Sequence, residues 1–149
     1  MITKILVPTD GSKPSRKSVN YAVELARQTG ASLILISVVD KSAFIPQAVP
    51  AVPSSPRIME PIENVLTRAA ESYVADAEKI CKKHQVPVKS VIRSGHPVEQ
   101  IIQEAVKSKA DLIVVGSHGK SALKAAVLGS VAFGIISKET KIPVLVVRK

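Results

Sequence analysis

The sequence places glycine and serine residues at a spacing suited to binding a phosphate group. Gly116 and Gly119 follow an apolar run, and Gly129 and Ser130 stand immediately before a helical pattern. Glycine lets the main chain approach an anion closely, and the first turn of a helix offers unpaired N–H groups and a positive dipole end. We expect Ser130 both to cap this helix and to donate to a phosphate. The alternative is that each glycine only shapes a turn, but the combination favours a phosphate site.

Two nearby segments resemble other phosphate-binding motifs but lack an essential residue. Gly119-Lys120-Ser121 matches the end of a P-loop, whose first glycine would have to stand where this chain has Val114. Residues 8–12 follow the first apolar run without the G-x-G-x-x-G pattern of a dinucleotide site. The sequence therefore argues against a P-loop NTPase and against a nicotinamide-dependent dehydrogenase.

Short apolar runs and helical patterns alternate along the chain. The runs predict strands over residues 3–7, 33–39, 86–92, 112–115 and 142–147, and the helical patterns predict helices over 12–30, 62–81, 97–106 and 130–138, with Ile62, Val65 and Val106 among the inward-facing residues. This alternation predicts an α/β fold, a parallel sheet with helices on both faces. Ligands of such sheets bind beyond the carboxyl ends of the strands, so we expect functional residues just after Val7, Val39 and Val115.

Length and composition predict one ordinary globular domain spanning residues 1–149. The chain is 46% hydrophobic and 22% charged, which argues against general disorder. Its one cysteine, Cys81, cannot form an internal disulfide and falls in an apolar stripe, so we expect a core residue in a reducing compartment. No apolar run suggests a signal peptide or a membrane span. We expect a soluble, cytoplasmic protein with no membrane partner.

Charge and proline distribution leave two alternatives open. The net charge of +9 is scattered along the chain, which favours a solvated surface over a polyanion-binding patch. Aromatic residues are 3% of the chain, so a platform that stacks nucleic-acid bases is not expected. Residues 40–61 carry five of the ten prolines and form a long loop after the second strand. This loop is either a tolerated insertion or a lid or partner-contact segment.

The chain resembles the universal stress protein family along its whole length. The opening residues 4–12, the strand end at residues 37–40 and the closing residues 142–147 are similar to that family. Gly116, Gly119, Gly129 and Ser130 also fit its G-x2-G-x9-G-[ST] pattern, which distinguishes the members that bind ATP. The resemblance implies a Rossmann-like, three-layer α/β/α sandwich with a five-stranded parallel sheet in the order 3-2-1-4-5. It also implies a homodimer paired through the last strand.

The resemblance further implies roles for individual residues. Asp10 and Val38 would contact adenine, Pro8 and Thr9 would line the pocket near the ribose, and Gly116 would lie against the ribose. The phosphates of ATP, or of ADP or AMP, would be held by the main chain of Gly119, Gly129, Ser130 and Val131 and by the Ser130 hydroxyl, with a divalent ion such as Mg²⁺ or Mn²⁺ bridging their oxygens. Gly95-His96-Pro97 departs from the family pattern and leaves the cap of the third helix open.

The chemistry of four side chains, one of them Asp10, bears on the same site independently of the resemblance. The Asp10 carboxylate can accept hydrogen bonds from an adenine amino group or from ribose hydroxyls. Lys120 and Lys124 either offset phosphate charge or are solvated. His118 either donates to a phosphate or points to solvent, and we favour solvent.

Two functions from different classes follow. The first is an adenine-nucleotide-binding protein whose bound state is read by dimer rearrangement or by a downstream protein partner. ATP hydrolysis should be absent or very slow, because residues 116–131 contain no carboxylate that could hold an ion or orient water. The alternative is an interaction module whose basic surface binds nucleic acid or an acidic protein. A phosphoreceiver domain is excluded because the third strand ends in Arg93-Ser94-Gly95, with no aspartate.

Overall fold

The structure is a computed structural model that describes residues 1–44, 61–119, 128–138 and 140–148. Most of the proline-rich loop and both Lys120 and Lys124 lie outside the described residues. The described elements are strands and helices in strict alternation, with one additional turn of 3-10 helix at Lys41–Phe44. The strands are β1 (Lys4–Pro8), β2 (Ser32–Val39), β3 (Val88–Ser94), β4 (Leu112–Gly116) and β5 (Val144–Val147), and the helices are α1 (Lys13–Thr29), α2 (Ile62–Lys83), α3 (Pro97–Lys107) and α4 (Ser130–Ser137).

All five strands are parallel and lie in the order β3-β2-β1-β4-β5, as expected. The winding direction reverses between β1 and β4, because β2 and β3 lie on one side of β1 and β4 and β5 on the other. The carboxyl ends of β1 and β4 therefore diverge into loops on opposite sides of a crevice, which is where ligands of such sheets bind.

Helices cover both faces of the sheet, as the apolar strands require. On one face, residues of β1 and β2 such as Ile5 and Leu33 pack with the inward sides of α1 and α2. On the other face, alternate residues such as Leu6 and Ile34 pack with α3 and α4. Each fully buried aliphatic side chain stabilises the fold by roughly 1.5–3 kcal/mol, so this double core fixes the strand ends relative to one another.

Local signals place the helix ends. The side chain of Ser12 accepts a hydrogen bond from the Ser15 main-chain N–H at 3.2 Å and caps α1, and Gly30 ends the helix at φ 76°. Pro97 lies in the first turn of α3, as expected, and the side chain of His96 makes no capping hydrogen bond. Cys81 lies on the inward side of α2 and is fully buried, which confirms the expected core position.

Two strands begin two residues later than predicted, and in each case a proline explains the difference. β3 starts at Val88 and β5 at Val144, immediately after Pro87 and Pro143. Proline has no N–H to donate to a ladder, so the strand begins behind it. Both prolines still contribute their carbonyl oxygens, which accept from the N–H groups of Leu33 and Ile113.

Three residues expected to face inward are exposed. Ile62 and Val65 are 47% and 42% exposed because the buried side of α2 begins only at Ala70. The first turns of this helix extend past the packed face of the sheet. Val106 is 61% exposed because it lies at the edge of the apolar stripe in the last turn of α3.

Candidate functional site

A cavity of about 380 Å³ lies at the carboxyl ends of β1, β2 and β4. Its volume falls in the range of small-molecule sites, about 300–1,000 Å³. All ten residues proposed from the sequence as ligand contacts line it: Pro8, Thr9, Asp10, Val38, Gly116, His118, Gly119, Gly129, Ser130 and Val131. We refer to it below as the switch-point cavity.

The loop after β1 holds a carboxylate at one side of this cavity. Thr9 is buried and donates its main-chain N–H to the Ile36 carbonyl oxygen at 2.9 Å, which continues the ladder between β1 and β2. Asp10 follows and accepts a hydrogen bond at Oδ1 from the Ser12 main-chain N–H at 2.9 Å. The carboxylate is therefore oriented by the turn that starts α1, with Gly11 at φ 77° completing that turn.

The end of β4 lies close to the start of α1. A β-carbon at Gly116 would lie 3.0 Å from the Pro14 carbonyl oxygen, so glycine allows this close approach without a shift of the main chain. The next residue, Ser117, donates its main-chain N–H to the Val147 carbonyl oxygen at 2.9 Å. Its hydroxyl lies 2.9 Å from Nδ1 of His118.

His118 is a buried residue in the wall of the cavity. The residue is 8% exposed, so the expectation that favoured solvent is wrong. The hydrogen bond to Ser117 fixes one side of the ring, and the ring lies with Gly119 at the edge of the cavity. His118 is therefore part of the wall that a ligand would contact.

The two described ends of the glycine loop meet at Gly129. Its main-chain N–H donates to the Ser117 carbonyl oxygen at 2.6 Å. A β-carbon there would lie 3.1 Å from the Cα of His118 and 3.2 Å from the Ser117 carbonyl oxygen. Glycine at this position therefore allows residues 117–119 and the start of α4 to pack main chain against main chain.

Helix α4 presents its amino end to the cavity. The capping residue is Gly129, which has no side chain that could accept from the first turn, so the expectation that Ser130 caps this helix is wrong. Ser130 is instead the first helical residue, exposed and lining the cavity with Val131 and Ala132. The first N–H groups of a helix have no partners within the helix, so they can donate to a ligand in the cavity.

The charged groups lining the switch-point cavity are carboxylates. Asp10 and Asp40 line it, and no lysine or arginine of the described residues does. A bound anion would therefore depend on main-chain N–H groups, hydroxyls and a cation for charge compensation. Within residues 1–44, 61–119, 128–138 and 140–148, no cluster of three or more His, Cys, Asp and Glu side chains could hold a metal ion without a ligand's help.

Sequence reasoning missed the wall contributed by α2. Leu66, Ala69, Ala70 and Tyr73 line the cavity from this helix. The ring of Tyr73 packs on the α-carbon of Gly11, where any side chain would collide with it. The helical spacing had identified this stripe as apolar, but it carries no information on which residues pass the edge of the sheet and face a ligand.

In the part of the chain that the structure describes, no helix combines the length and the apolar character needed to span a membrane.

The family model described as "Universal stress protein family" matches residues 1–148. Universal stress protein MJ0531 of Methanocaldococcus jannaschii is 36% identical over 146 residues, which cover 98% of this chain and 82% of the relative. Universal stress protein YxiE of Bacillus subtilis is 30% identical over 149 residues, which cover 99% and 100%.

Known structures share the fold over the full chain. Protein MJ0577 of Methanocaldococcus jannaschii superposes with a TM-score of 0.82 at 31% identity, covering 100% of this chain and 97% of the other. A universal stress protein in complex with cAMP gives a TM-score of 0.71 at 24% identity, covering 99% and 97%. One from Archaeoglobus fulgidus in complex with dAMP gives 0.66 at 20% identity, covering 98% of each chain. With its sheet order, its glycine loop and a family match over all but the last residue, this chain belongs to the universal stress proteins.

Proposed function

We propose that the protein binds an adenine nucleotide, ATP foremost, in the switch-point cavity. The observation that carries the proposal is the convergence of Gly119, Gly129 and the amino end of α4 on one cavity with Asp10 and Val38. The first group is suited to phosphates and the second to a base and sugar. Two structures of this fold contain a protein in complex with cAMP or dAMP, which is consistent with an adenine nucleotide as the ligand.

The phosphates are held by the main chain. The N–H groups at the start of α4 and the Ser130 hydroxyl are oriented toward an anion by the helix itself, and the helix dipole adds a favourable field. The close packing of Gly129 on His118 keeps side chains out of the region where phosphate oxygens would lie. Gly116, at the end of β4, lies between these phosphates and the sugar.

The base and ribose lie toward β1 and β2. Val38, Leu66 and Ala69 give this side an apolar wall, and Asp10 gives it a hydrogen-bond acceptor. Pro8 and Thr9 complete the floor. An acceptor in an apolar wall favours a base that carries an amino group over one that presents only a carbonyl oxygen.

A divalent cation accompanies the triphosphate. The described lining brings two carboxylates and no lysine or arginine to a ligand that is itself highly charged. Mg²⁺ or Mn²⁺ bridging phosphate oxygens would neutralise part of that charge, as in other phosphate sites. ATP affinity should therefore drop when divalent ions are chelated.

The protein acts as a binding protein and not as an ATPase. Hydrolysis needs a group that orients water at the terminal phosphate and an ion site assembled by protein carboxylates. Residues 116–131 contain no acidic residue, and we assign Asp10, whose carboxylate lies against Gly119, to the base and sugar. We propose that the nucleotide-bound state is read by a downstream protein in a cytoplasmic stress response.

Dimerisation through β5 completes the proposal. β5 is an edge strand, and its outer main-chain groups are open to pairing. The adjacent helix α4 exposes two large apolar side chains, Phe133 at 62% and Ile136 at 49%. Exposed apolar side chains beside an open strand edge are typical of an interface. We therefore propose that a second copy paired along β5 covers both side chains.

The test is to denature freshly purified protein and identify any released nucleotide by mass spectrometry, followed by calorimetry with ATP and Mg²⁺. We expect an adenine nucleotide, 1:1 binding, and loss of that binding in the double variant Gly129→Val, Ser130→Ala. The competing interaction module predicts an apoprotein that ignores ATP and binds DNA or an acidic protein with steep salt dependence, unaffected by changes at Gly129. Brisk Mg²⁺-dependent hydrolysis would contradict the proposed lack of turnover.

A further inference from the structure

A second cavity lies at the opposite end of the sheet. It measures about 540 Å³ and opens at the amino ends of β1, β2 and β3, beside the last turn of α3. Four lysines line it, and we call it the lysine cleft: Lys4, Lys89, Lys107 and Lys109. Nothing in the proposed nucleotide function uses this cavity.

The four lysines converge from three different elements. Lys4 begins β1, and Lys89 lies on β3 directly beside Ile34 of β2. Lys107 ends α3, and Lys109 follows it by two residues. Lys4 Nζ donates to the Ser108 carbonyl oxygen at 3.2 Å, so the start of β1 and the end of α3 are joined at the cleft.

Their charges are not neutralised by carboxylates. No acidic residue lines the cleft, and none of the four lysines forms an ion pair within the described ranges of the chain. Asp111 does not line the cleft. Its Oδ2 accepts from the Thr3 N–H, the Thr3 hydroxyl and the Lys4 main-chain N–H at 2.8–3.0 Å, so one negative charge lies beside the start of β1 and the four lysines remain in excess. Clustered like charges in a concave surface raise the local concentration of counter-ions.

The dipole of α3 accounts for only part of this arrangement. The carboxyl end of a helix favours lysine in its last turn, which explains Lys107. Lys4 also contacts this helix end, because its Nζ donates to the carbonyl oxygen of Ser108, the residue that caps α3. Lys89 belongs to β3, so the end of α3 does not explain its place in the cleft.

Lys109 occupies a position where the backbone favours glycine. Its φ is 58°, and the N–H of Ala110 donates to the Ala105 carbonyl oxygen at 2.9 Å, which closes the turn after α3. A side chain there is held at a conformational cost. Gln85 occupies the equivalent position after α2, at φ 59°, and is not part of the lysine cleft.

We propose that the lysine cleft binds a small phosphorylated ligand that carries a pyrophosphate group. Two or more phosphate charges match the four lysines that line the cleft. The floor includes Ile34 and Pro87, so an apolar part of the ligand can lie against the sheet. The volume suits a small molecule of nucleotide size.

The experiment is a two-dimensional ¹H–¹⁵N NMR titration with inorganic pyrophosphate at about 0.1 M salt, where exposed charges more than ~10 Å apart are largely screened. We expect saturable 1:1 shifts of main-chain amides at residues 32–34, 88–90 and 107–110. Shifts at residues 116–119 and 129–131 would report binding at the switch-point cavity separately. The outcome for the lysine cleft is thereby independent of the proposed function.

Two matched variants separate charge from backbone strain. Lys109→Gly and Gln85→Gly each relieve a positive φ, and both should raise Tm. Lys109→Gly should weaken pyrophosphate binding at the cleft at least threefold, whereas Gln85→Gly should leave it unchanged. The proposal is overturned if the cleft amides do not shift, if shifts spread over surface lysines without saturating, or if Lys109→Gly binds as tightly as the wild type. It is also overturned if a short DNA duplex saturates the cleft at lower concentration than pyrophosphate, which would identify a nucleic-acid surface.

Discussion

A β-carbon at Gly119 would lie 2.8 Å from Oδ2 of Asp10, so the loop after β4 and the loop after β1 are in contact across the switch-point cavity. Gly119 therefore separates the Asp10 carboxylate, proposed as the acceptor for the base and sugar, from the main-chain N–H groups proposed to hold the phosphates. We call these N–H groups, at Gly119, Gly129 and the start of α4, the phosphate cradle. A side chain added at Gly119 would therefore disturb both halves of the site.

Gly119→Ala should weaken nucleotide binding more than it weakens the fold. The new methyl group displaces the Asp10 carboxylate, which is the end of a side chain and can rotate. We expect the Kd for ATP with Mg²⁺ to rise about tenfold, equivalent to about 1.4 kcal/mol, with little change in Tm. Calorimetry and thermal unfolding measure the two effects.

Gly134→Ala is the matched control for that variant. A β-carbon at Gly134 would lie 2.5 Å from Cγ2 of Val98 in the packing of α4 on α3. Overpacking of this kind typically costs about 1–3 kcal/mol of stability, so we expect a lower Tm. The Kd for ATP, measured at a temperature well below the Tm, should be unchanged. A Gly119→Ala protein that binds ATP as tightly as wild type would show that Gly119 does not form part of the cradle.

Tyr73 should report nucleotide binding by its fluorescence. The chain has no tryptophan and only two tyrosines, and Tyr21 lies half-exposed on α1. In Tyr21→Phe the remaining emission comes from Tyr73, which lines the switch-point cavity and packs on Gly11. We expect a saturable change in emission on adding ATP with Mg²⁺, at the Kd found by calorimetry.

Tyr73→Phe provides the reference for that measurement. Its emission comes from Tyr21 and should change only by the light that ATP absorbs. An equal response in the two variants would mean that the nucleotide does not approach α2.

The buried thiol should make stability depend on pH in the alkaline range. Burial raises the pKa of Cys81 from 9.0 to about 11. The thiol of the unfolded chain therefore ionises first as pH rises. Its contribution to the free energy of unfolding is fully present below pH 9 and is lost between pH 9 and 11, at about 1.4 kcal/mol for each unit of the pKa difference.

Denaturant unfolding of the wild type and of Cys81→Ala from pH 7 to 11 measures this effect. The variant is expected to be less stable at neutral pH, because it leaves a gap in the core, and to lose less stability on going to pH 11. Parallel pH profiles would contradict a raised pKa for Cys81.

Phe133→Asp should convert the proposed dimer to a monomer. The charge would be buried without a partner at an interface along β5, which disfavours association. Gel filtration with light scattering at a fixed protein concentration should show half the mass. Ile62→Asp is the control, since Ile62 is similarly exposed on α2, which packs over β2 and β3. An unchanged mass for Phe133→Asp, or the same loss for Ile62→Asp, would contradict pairing through β5.

The sequence predicted the features whose signals are local. Ser12 and Gly30 bound α1 as expected, since a capping hydroxyl and a left-handed glycine act on neighbouring residues. Alternating apolar runs predicted the parallel sheet, and the strand order came from the family resemblance. All ten proposed ligand contacts line one cavity because the ends of parallel strands meet at one edge of the sheet.

Features that depend on tertiary packing were not predictable in the same way. The late starts of β3 and β5 are not among these features, because they follow from Pro87 and Pro143 by a rule that applies to the sequence alone. The capping of α4 by Gly129 depends on its packing against His118, which no local pattern records. The role of Tyr73 in the cavity wall depends on how far α2 extends beyond the sheet.

The crystal structure of the protein grown with ATP and Mg²⁺ tests the central claim most directly. We expect phosphate oxygens about 2.7–3.2 Å from the main-chain nitrogen atoms of Ser130 and Val131, with the base against Val38. A nucleotide bound outside the switch-point cavity, or phosphates held only by side chains, would contradict the account.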